Sequence, residues 1–476
     1  MRGLLANGVS MLAARLLPPV FAFAVHLGVA RLGGAASLGA YVHVLAVLMI
    51  FQAIAAAGMQ FLLVREIAAA PGAQADVLRR GRGLGLATGT LATVAYLAYA
   101  FVMLPDDLTV PAVVLAATLV PTSWITVHEA AFIAAHRHHR IAVVAVVENA
   151  IKMGGALTAL LSGYGLTGIC VAIAVARLGG SGVGLVMLRR DGLPIGSITF
   201  AGLQDSARAV LPFALLFAVS MAYFRIDVPI VGAVTGSPVA TGWYGAAATL
   251  FLSVLLLPES AMAAAYPRLA AAYATPTGGY GAATALVARL LVLGIAPVAL
   301  SLILLAEPLV QVIYGDRFAE SAAVLRLLAL SLPIHALNGA LGQALQAARA
   351  QDAMLRIVTG GLALHVLATT VFVRWFGIEG AAIALLCSST AVALGALRAV
   401  QQRLALPGIT VRGLLQIVPV AGPLFLASSA TDAWRPAVAA CAIAWLAVGV
   451  WWSGLVASSD LHVLRGALRG PTARQA

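Results

Sequence analysis

Charge is what this chain has least of. Only 10% of its 476 residues are Asp, Glu, Lys or Arg, where a soluble domain carries about 25% to keep its surface in water. With 62% hydrophobic residues and a mean hydropathy of +1.00, no water-soluble globule could hide so much apolar surface, so lipid is the expected solvent. Lysine is nearly absent too: Lys152 is the one lysine, and arginine supplies the rest of the basic charge. The three cysteines, Cys170, Cys387 and Cys441, are far apart inside apolar runs. They offer neither a disulfide framework nor metal-ligand spacing. No G-x-x-x-x-G-K-[ST] phosphate loop occurs, which excludes ATP hydrolysis by that route.

What is present is a succession of apolar runs of about 20 residues, the length that crosses a bilayer as a helix. Spans are expected near 8–30, 38–63, 83–104, 110–134, 141–162, 166–188, 209–231, 241–263, 284–306, 322–347, 354–373, 378–399, 413–429 and 436–456. The expected fold is all-α: a polytopic membrane protein of about fourteen transmembrane helices with short loops throughout. The first run, broken by Arg15, Pro18 and Pro19 and followed by no cleavage pattern, reads as a retained helix rather than a signal peptide.

The arginines orient these spans. Nineteen lie on one side, among them Arg2, Arg65, Arg79, Arg80, Arg82, Arg137, Arg140, Arg189 and Arg190, against Arg31, Arg317, Arg374 and Arg435 on the other. By the positive-inside rule both termini should be cytoplasmic. Cations spread over loops do not form the basic groove with stacked aromatics that nucleic acid requires, so the net charge of +12 is not read as a nucleic-acid footprint. The run His136, Arg137, His138, His139, Arg140 mixes imidazoles with repelling guanidinium groups, which favours contact with anionic lipid headgroups over a metal site.

The chain carries an internal echo. Gly39-Ala40-Tyr41 with Arg65 recurs as Gly242-Trp243-Tyr244 with Arg268 at an offset of 203, and Gly165-x-x-Gly168 recurs as Gly377-x-x-Gly380 at an offset of 212. Both matches relate helices six apart, which implies a parallel duplication about a pseudo-two-fold axis along the membrane normal. The expected organisation is an N-lobe over 1–195, a C-lobe over 196–405, two extra helices over 406–457 and a cytoplasmic tail over 458–476 that lies on the inner membrane surface or stays disordered. Two six-helix lobes enclosing a cavity suit alternating access.

Taken in order, Ala30-Arg31-Leu32-Gly33, Leu38-Gly39-Ala40-Tyr41, Val64-Arg65-Glu66-Ile67-Ala68, Tyr223-Phe224-Arg225-Ile226-Asp227, Thr241-Gly242-Trp243-Tyr244, Ile313-Tyr314-Gly315 and Gly377-x-x-Gly380 resemble the polysaccharide flippases (Wzx-type) of the multidrug/oligosaccharidyl-lipid/polysaccharide exporter superfamily. The resemblance covers nearly the whole chain. It implies a non-enzymatic, cofactor-free carrier in the cell inner membrane that moves polyprenyl-diphosphate-linked oligosaccharides, for O-antigen or exopolysaccharide, between leaflets. Its partners would be the lipid-linked glycan, membrane lipids and a polysaccharide polymerase or other export machinery. A cation-coupled multidrug exporter and a peptidoglycan-precursor flippase remain open within the same superfamily. An integral-membrane glycan polymerase is disfavoured because the outer loops are short and hold no acid/base pair.

Charges inside the apolar spans are costly and are candidate site residues by default. Arg15, Lys152, Arg177 and Arg225 are the candidates for a lipid diphosphate, since arginine grips phosphate oxygens bidentately. Arg15 precedes Pro18-Pro19, and its alternative role is to pair with Glu129. Glu148 and Lys152 are four apart, so a self-neutralising pair is the plain alternative for both. Glu129, Glu148, Asp227 and Glu259 are the ion-coupling candidates, or anchors for the cations. No metal site is read.

Overall fold

A computed structural model describes residues 2–69, 73–193, 197–274 and 280–404, with side chains from residue 18 to 403. Helix follows helix: α1 Arg2–Ala56, α2 Met59–Ala69, α3 Gln74–Met103, α4 Asp106–Ala116, α5 Leu119–Ala134, α6 His138–Leu161 and α7 Gly165–Arg190. Then come α8 Leu203–Arg225, α9 Asp227–Thr235, α10 Pro238–Ala274, α11 Tyr280–Leu304, α12 Ala306–Tyr314, α13 Ser321–Leu330, α14 Leu332–Ala347 and α15 Gln351–Leu404. Leu, Ala and Val dominate these stretches, and in lipid a helix satisfies every backbone group internally.

Among the described residues nine helical stretches are long and apolar enough to cross a membrane, and the pair α13–α14, bent by 40° at Ser331, makes a tenth. Two of the nine, Pro18–Ala69 with 52 residues and Gln351–Arg403 with 53, far exceed the roughly 20 residues one crossing needs. Each is broken by a left-handed glycine, Gly34 (φ 75°) and Gly377 (φ 61°). All twelve apolar segments expected between residues 8 and 399 fall on these helices. Those expected near 413–429 and 436–456, and the tail, lie outside the described residues. The protein is a multi-pass membrane protein.

The chain packs as two compact units: Met1–Ala246 with Ile313–Arg317, and Ala247–Val312 with the chain from Phe318 onward. The first unit holds α1 to α9 and the start of α10. Within it, Arg31 Nε donates to the Ile313 carbonyl at 2.7 Å, and Trp243 Nε1 donates to the Arg317 carbonyl at 2.8 Å. The His26 and Tyr314 rings meet edge to face with centroids 5.7 Å apart. These contacts fasten 313–317 to the first unit. In the second unit α14 packs on α11 and on α15, and neutral polar groups line the contact. His335 bonds the Ser331 carbonyl at 3.0 Å, Ser388 Oγ lies 3.2 Å from His365 Nδ1, and Asn338 donates to the Ser389 carbonyl at 3.0 Å.

The repeated glycines have repeated jobs. A Cβ on Gly39 would fall 1.8 Å from the Pro238 carbonyl oxygen, and one on Gly242 would fall 1.9 Å from the Ala35 carbonyl oxygen. Ala35 and Pro238 are themselves 203 apart, so the two close approaches are reciprocal, as a two-fold relation between α1 and α10 demands. Gly165 (φ 57°) and Gly377 (φ 61°) both turn left-handed. Gly168 then sits against Ala159 and Gly380 against the Phe372 carbonyl, with no room for a Cβ at either. The shared positive φ of Gly165 and Gly377 and the reciprocal contacts of Gly39 and Gly242 are what a duplication predicts.

Candidate functional site

Four of the eight site candidates come together inside the first unit. Glu129 on α5, Glu148 and Lys152 on α6 and Arg177 on α7 form one electrostatic cluster, in which Glu129 feels Arg177 and Glu148, and Lys152 feels Glu148 and Arg177. The helices that carry them pack closely, α6 on α7 most of all. Gly180, one turn after Arg177, makes room: a Cβ there would lie 2.8 Å from Glu148 Oε2. Gln60 of α2 reaches Glu129 Oε2 at 3.4 Å.

Within the cluster the ion pair is not the local one. Glu148 Oε1 meets Arg177 Nε at 3.3 Å, with side-chain exposures of 12% and 25%, and no bridge joins Glu148 to Lys152. The i,i+4 pair expected on α6 therefore gives way to an inter-helix pair, because α7 brings a guanidinium to the carboxylate across Gly180. Lys152 makes no ion pair among the described residues. The carboxylate whose charge Lys152 feels, Glu148, is thus already engaged by Arg177.

Arg225 and Asp227 flank the break between α8 and α9, also in the first unit. Asp227 is buried and fully occupied: it accepts from the Tyr244 hydroxyl and from its own helix at the Val228 N–H, 2.8 Å away. Arg225 forms no ion pair with it, and its Nε is buried with no hydrogen-bond acceptor. No hydrogen bond or ion pair joins these two residues to the four-residue cluster. Glu259 stands exposed on α10 within the second unit. Arg15 lies on α1 one turn before Pro18-Pro19, and its side chain falls outside the described residues.

The embedded charges counted from sequence were incomplete. Arg289 on α11 and Arg326 on α13 also lie in apolar helices of the second unit, half-buried, and Arg326 bridges Glu307. Both residues were legible as arginines within expected spans.

Two features were not visible in the sequence. At the arginine-rich end of the first unit, Arg140 clasps Asp191 with Nε at 3.1 Å and Nη2 at 2.6 Å, and Arg137 adds Nη1 at 2.7 Å. Burial of the carboxylate works to raise its pKa. Hydrogen bonds from Arg137 and Arg140, and their charges, outweigh that and hold it below the ordinary value. At the opposite end a cavity of about 990 Å³ opens among α1, α3, α4, α6, α7, α9 and α10, with Ser37, His43, Tyr99, Asp107, Ser237 and Thr241 among its polar lining. Among the described residues no cluster of three metal-ligating side chains occurs.

This architecture has counterparts among solved structures. The lipid II flippase MurJ in an inward closed conformation superposes with a TM-score of 0.72 at 12% identity, covering 94% of this chain and all of that one. An inward-facing multidrug resistance MATE family transporter of the MOP superfamily gives 0.69 at 15% identity, covering 85% and 99%. A MOP superfamily transporter from Pyrococcus furiosus, described as having a binding pocket of reversed polarity, gives 0.60 at 17% identity, covering 84% and 94%. At such identities the likeness is one of fold. Among curated proteins none matches the sequence. The model of the family described as "Polysaccharide biosynthesis protein" matches residues 29–323, well over half of the chain and across both units. With the repeated glycines, the multi-pass helical fold and this match together, the chain belongs to the polysaccharide biosynthesis protein family.

Proposed function

We propose that the protein is a flippase that moves a polyprenyl-diphosphate-linked oligosaccharide from the inner to the outer leaflet of the cytoplasmic membrane by alternating access. The arginine-rich end and both termini face the cytoplasm in this reading. The observation that carries it is Lys152, an ammonium inside an apolar helix that forms no ion pair of its own, since Glu148 bridges Arg177 instead. An embedded cation persists where an anion visits it. Lys152 and Arg177 hold the diphosphate from the first unit, with Arg15 and Arg225 as further cations along the path. Arg225 brings a buried donor that still lacks an acceptor.

When the diphosphate arrives, Arg177 is shared between phosphate and Glu148. Glu129 and Glu148 then become the groups on which a coupling ion acts. Asp227, held by Tyr244, and the exposed Glu259 are weaker sites for that role. The glycan itself needs only polar accommodation, and a polymerase on the far side of the membrane consumes it.

The test is a deletion strain complemented with wild type, Lys152→Gln or Arg15→Ala and analysed for lipid-linked glycans. Wild type should restore surface polysaccharide. Lys152→Gln should cut export at least tenfold and accumulate unexported lipid-linked oligosaccharide at normal protein levels. Normal surface glycan and normal lipid intermediates in the uncomplemented deletion would sink the reading and bring the multidrug exporter forward. Accumulation of peptidoglycan precursor instead would move the substrate to that class.

A further inference from the structure

The cavity of about 990 Å³ at the end opposite the arginines shares no residue with the charged cluster above. Helix ends line it: Leu104 and Pro105 between α3 and α4, Gly163 between α6 and α7, and Gly236 and Ser237 between α9 and α10. Among the described residues no lysine or arginine lines it, and Asp107 is its one carboxylate. A phosphate finds no counter-charge there.

What converges on the space is a set of hydrogen-bonding groups from three helices: His43 of α1, Tyr99 of α3 and Asp107 of α4. None of the three side chains forms a hydrogen bond or an ion pair among the described residues. His43 is the telling one, because it is only 7% exposed. It packs so close to α9 that a Cβ on Gly232 would fall 2.5 Å from its Nδ1. A buried imidazole without a partner costs stability unless the cavity supplies one. The hydroxyls on the α10 side are engaged within their own turn. Ser237 Oγ accepts from the Ala240 N–H at 3.2 Å, and Thr241 Oγ donates to the Ser237 carbonyl at 2.9 Å. The Tyr99 ring is steadied by Phe51, their centroids 6.1 Å apart.

We propose that this cavity seats neutral sugar residues of the lipid-linked substrate. The inference rests on the flippase function proposed above and gives its glycan a place in the first unit, away from the diphosphate. A sugar ring is apolar on its faces and carries hydroxyls around its edge. Asp107 accepts from such hydroxyls, and the His43 imidazole has both a donor and an acceptor to offer. Tyr99 adds a flat apolar face with a polar tip. Ala36, Ala40 and Ala233 leave the rest of the wall small and uncharged. The volume stands at the upper end of the roughly 300–1,000 Å³ of small-molecule sites, room for more than one ring. An organic cation suits the cavity less well, because its sole anchor would be the exposed Asp107, where water screens the attraction.

The probe is the oligosaccharide released by mild acid from the lipid-linked glycan that accumulates in the deletion strain. It is titrated against the full-length protein in nanodiscs by saturation-transfer difference NMR. Asp107 and Ala36 are exposed on the cavity wall, so Asp107→Asn and Ala36→Trp should keep the wild-type Tm. Asp107→Asn should weaken the glycan at least fivefold. Ala36→Trp, which fills space without removing a polar group, should weaken it at least tenfold. Should Ala36→Trp fail to fold, Ala233→Leu on the α9 wall, also exposed, carries the same comparison. Wild-type affinity in the filled variant overturns the site, whatever the carboxylate does. So does ethidium that displaces the glycan from wild type and no longer binds Asp107→Asn, which would assign the cavity to an organic cation. A deletion strain without accumulated lipid-linked glycan removes the flippase reading and this site with it. Accumulation of a glycan that wild type does not bind overturns the site alone.

Discussion

Each unit ties two helices together at its arginine-rich end with a two-arginine clasp on one aspartate, but the two clasps are built in opposite polarity. In the first unit Arg140, entering α6, holds Asp191, leaving α7; in the second Asp352, entering α15, is held by Arg403 near its far end at 2.8 Å. Both partners shift by the same 212 residues that separate Gly165 from Gly377, so this is one bridge of the duplicated unit with its charges exchanged. A second arginine joins each: Arg137 on Asp191, and Arg356 on Asp352. The Asp191 side chain is 4% exposed and that of Asp352 is 55%. What the repeat preserves is the tie between helices, while which residue is acid and how deep it lies differ between copies. The interiors diverge further. The first unit holds a half-buried ion pair and a lysine, whereas α14 and α15 of the second carry hydroxyls, an amide and two imidazoles, with Asn338 bonding across to Ser389.

The largest effects should separate those interiors. Removing Arg177 leaves Glu148 without its ion pair and with only Lys152 to offset its charge, which costs about 1–3 kcal/mol in a half-buried site. Arg177→Ala should therefore lower the yield of folded protein and its Tm sharply. Arg177→Ala with Glu148→Gln should recover most of that stability without recovering export. Arg326→Ala in the second unit removes the bridge to Glu307, whose carboxylate side chain is 46% exposed, and should cost well under half as much. Equal losses from Arg177→Ala and Arg326→Ala in thermal unfolding would erase the distinction drawn between the units.

The next contrast uses glycine. Because the Gly39 and Gly242 contacts are reciprocal, Gly39→Ala and Gly242→Ala should be equally damaging. Each must push α1 and α10 apart against a backbone carbonyl, about 2–3 kcal/mol of overpacking. Gly294 on α11 in the second unit has nothing within 4 Å of a Cβ. Gly294→Ala should instead be neutral or stabilise by up to about 1 kcal/mol through helix propensity. A large difference between Gly39→Ala and Gly242→Ala in melting temperature would break the two-fold relation.

Periodicity and glycine carried much of this fold into the sequence, because apolar length and left-handed turns are local properties. The breaks at Gly34 and Gly377 and the helices between them follow from runs of Leu, Ala and Val read along the chain. The short helix α12 escaped because nine residues cannot span a bilayer. The site was less legible for a different reason. Spacing on one helix offers Lys152 to Glu148, but the pair that forms depends on α7 lying against α6 at Gly180, a tertiary fact. Arg289 and Arg326 are another matter: both stand plainly within expected spans.

The smallest effect expected is also the most specific. If the clasps are one bridge in two polarities, exchanging the charges of Arg140 and Asp191 should reproduce in the first unit the arrangement already used in the second. Asp191→Asn alone should cost about 1 kcal/mol, discounted because both arginines that hold it are about a third exposed. Its folded pKa is depressed, so the stabilisation it brings is present above the unfolded carboxylate value of about 4. That stabilisation is lost as pH falls through the lower folded value. The Tm difference between wild type and Asp191→Asn should thus be full at pH 7 and shrink only below about pH 4. Arg140→Asp with Asp191→Arg should restore part of what either single reversal loses, leaving Arg137 repelled by the new arginine. Asp352→Asn, at the exposed copy, should leave Tm unchanged. A double reversal no better than the single ones would mean that Asp191 is fixed by its burial and by Arg137. The reversed polarity of the second unit would then depend on the solvent around Asp352, not on the geometry of the repeat.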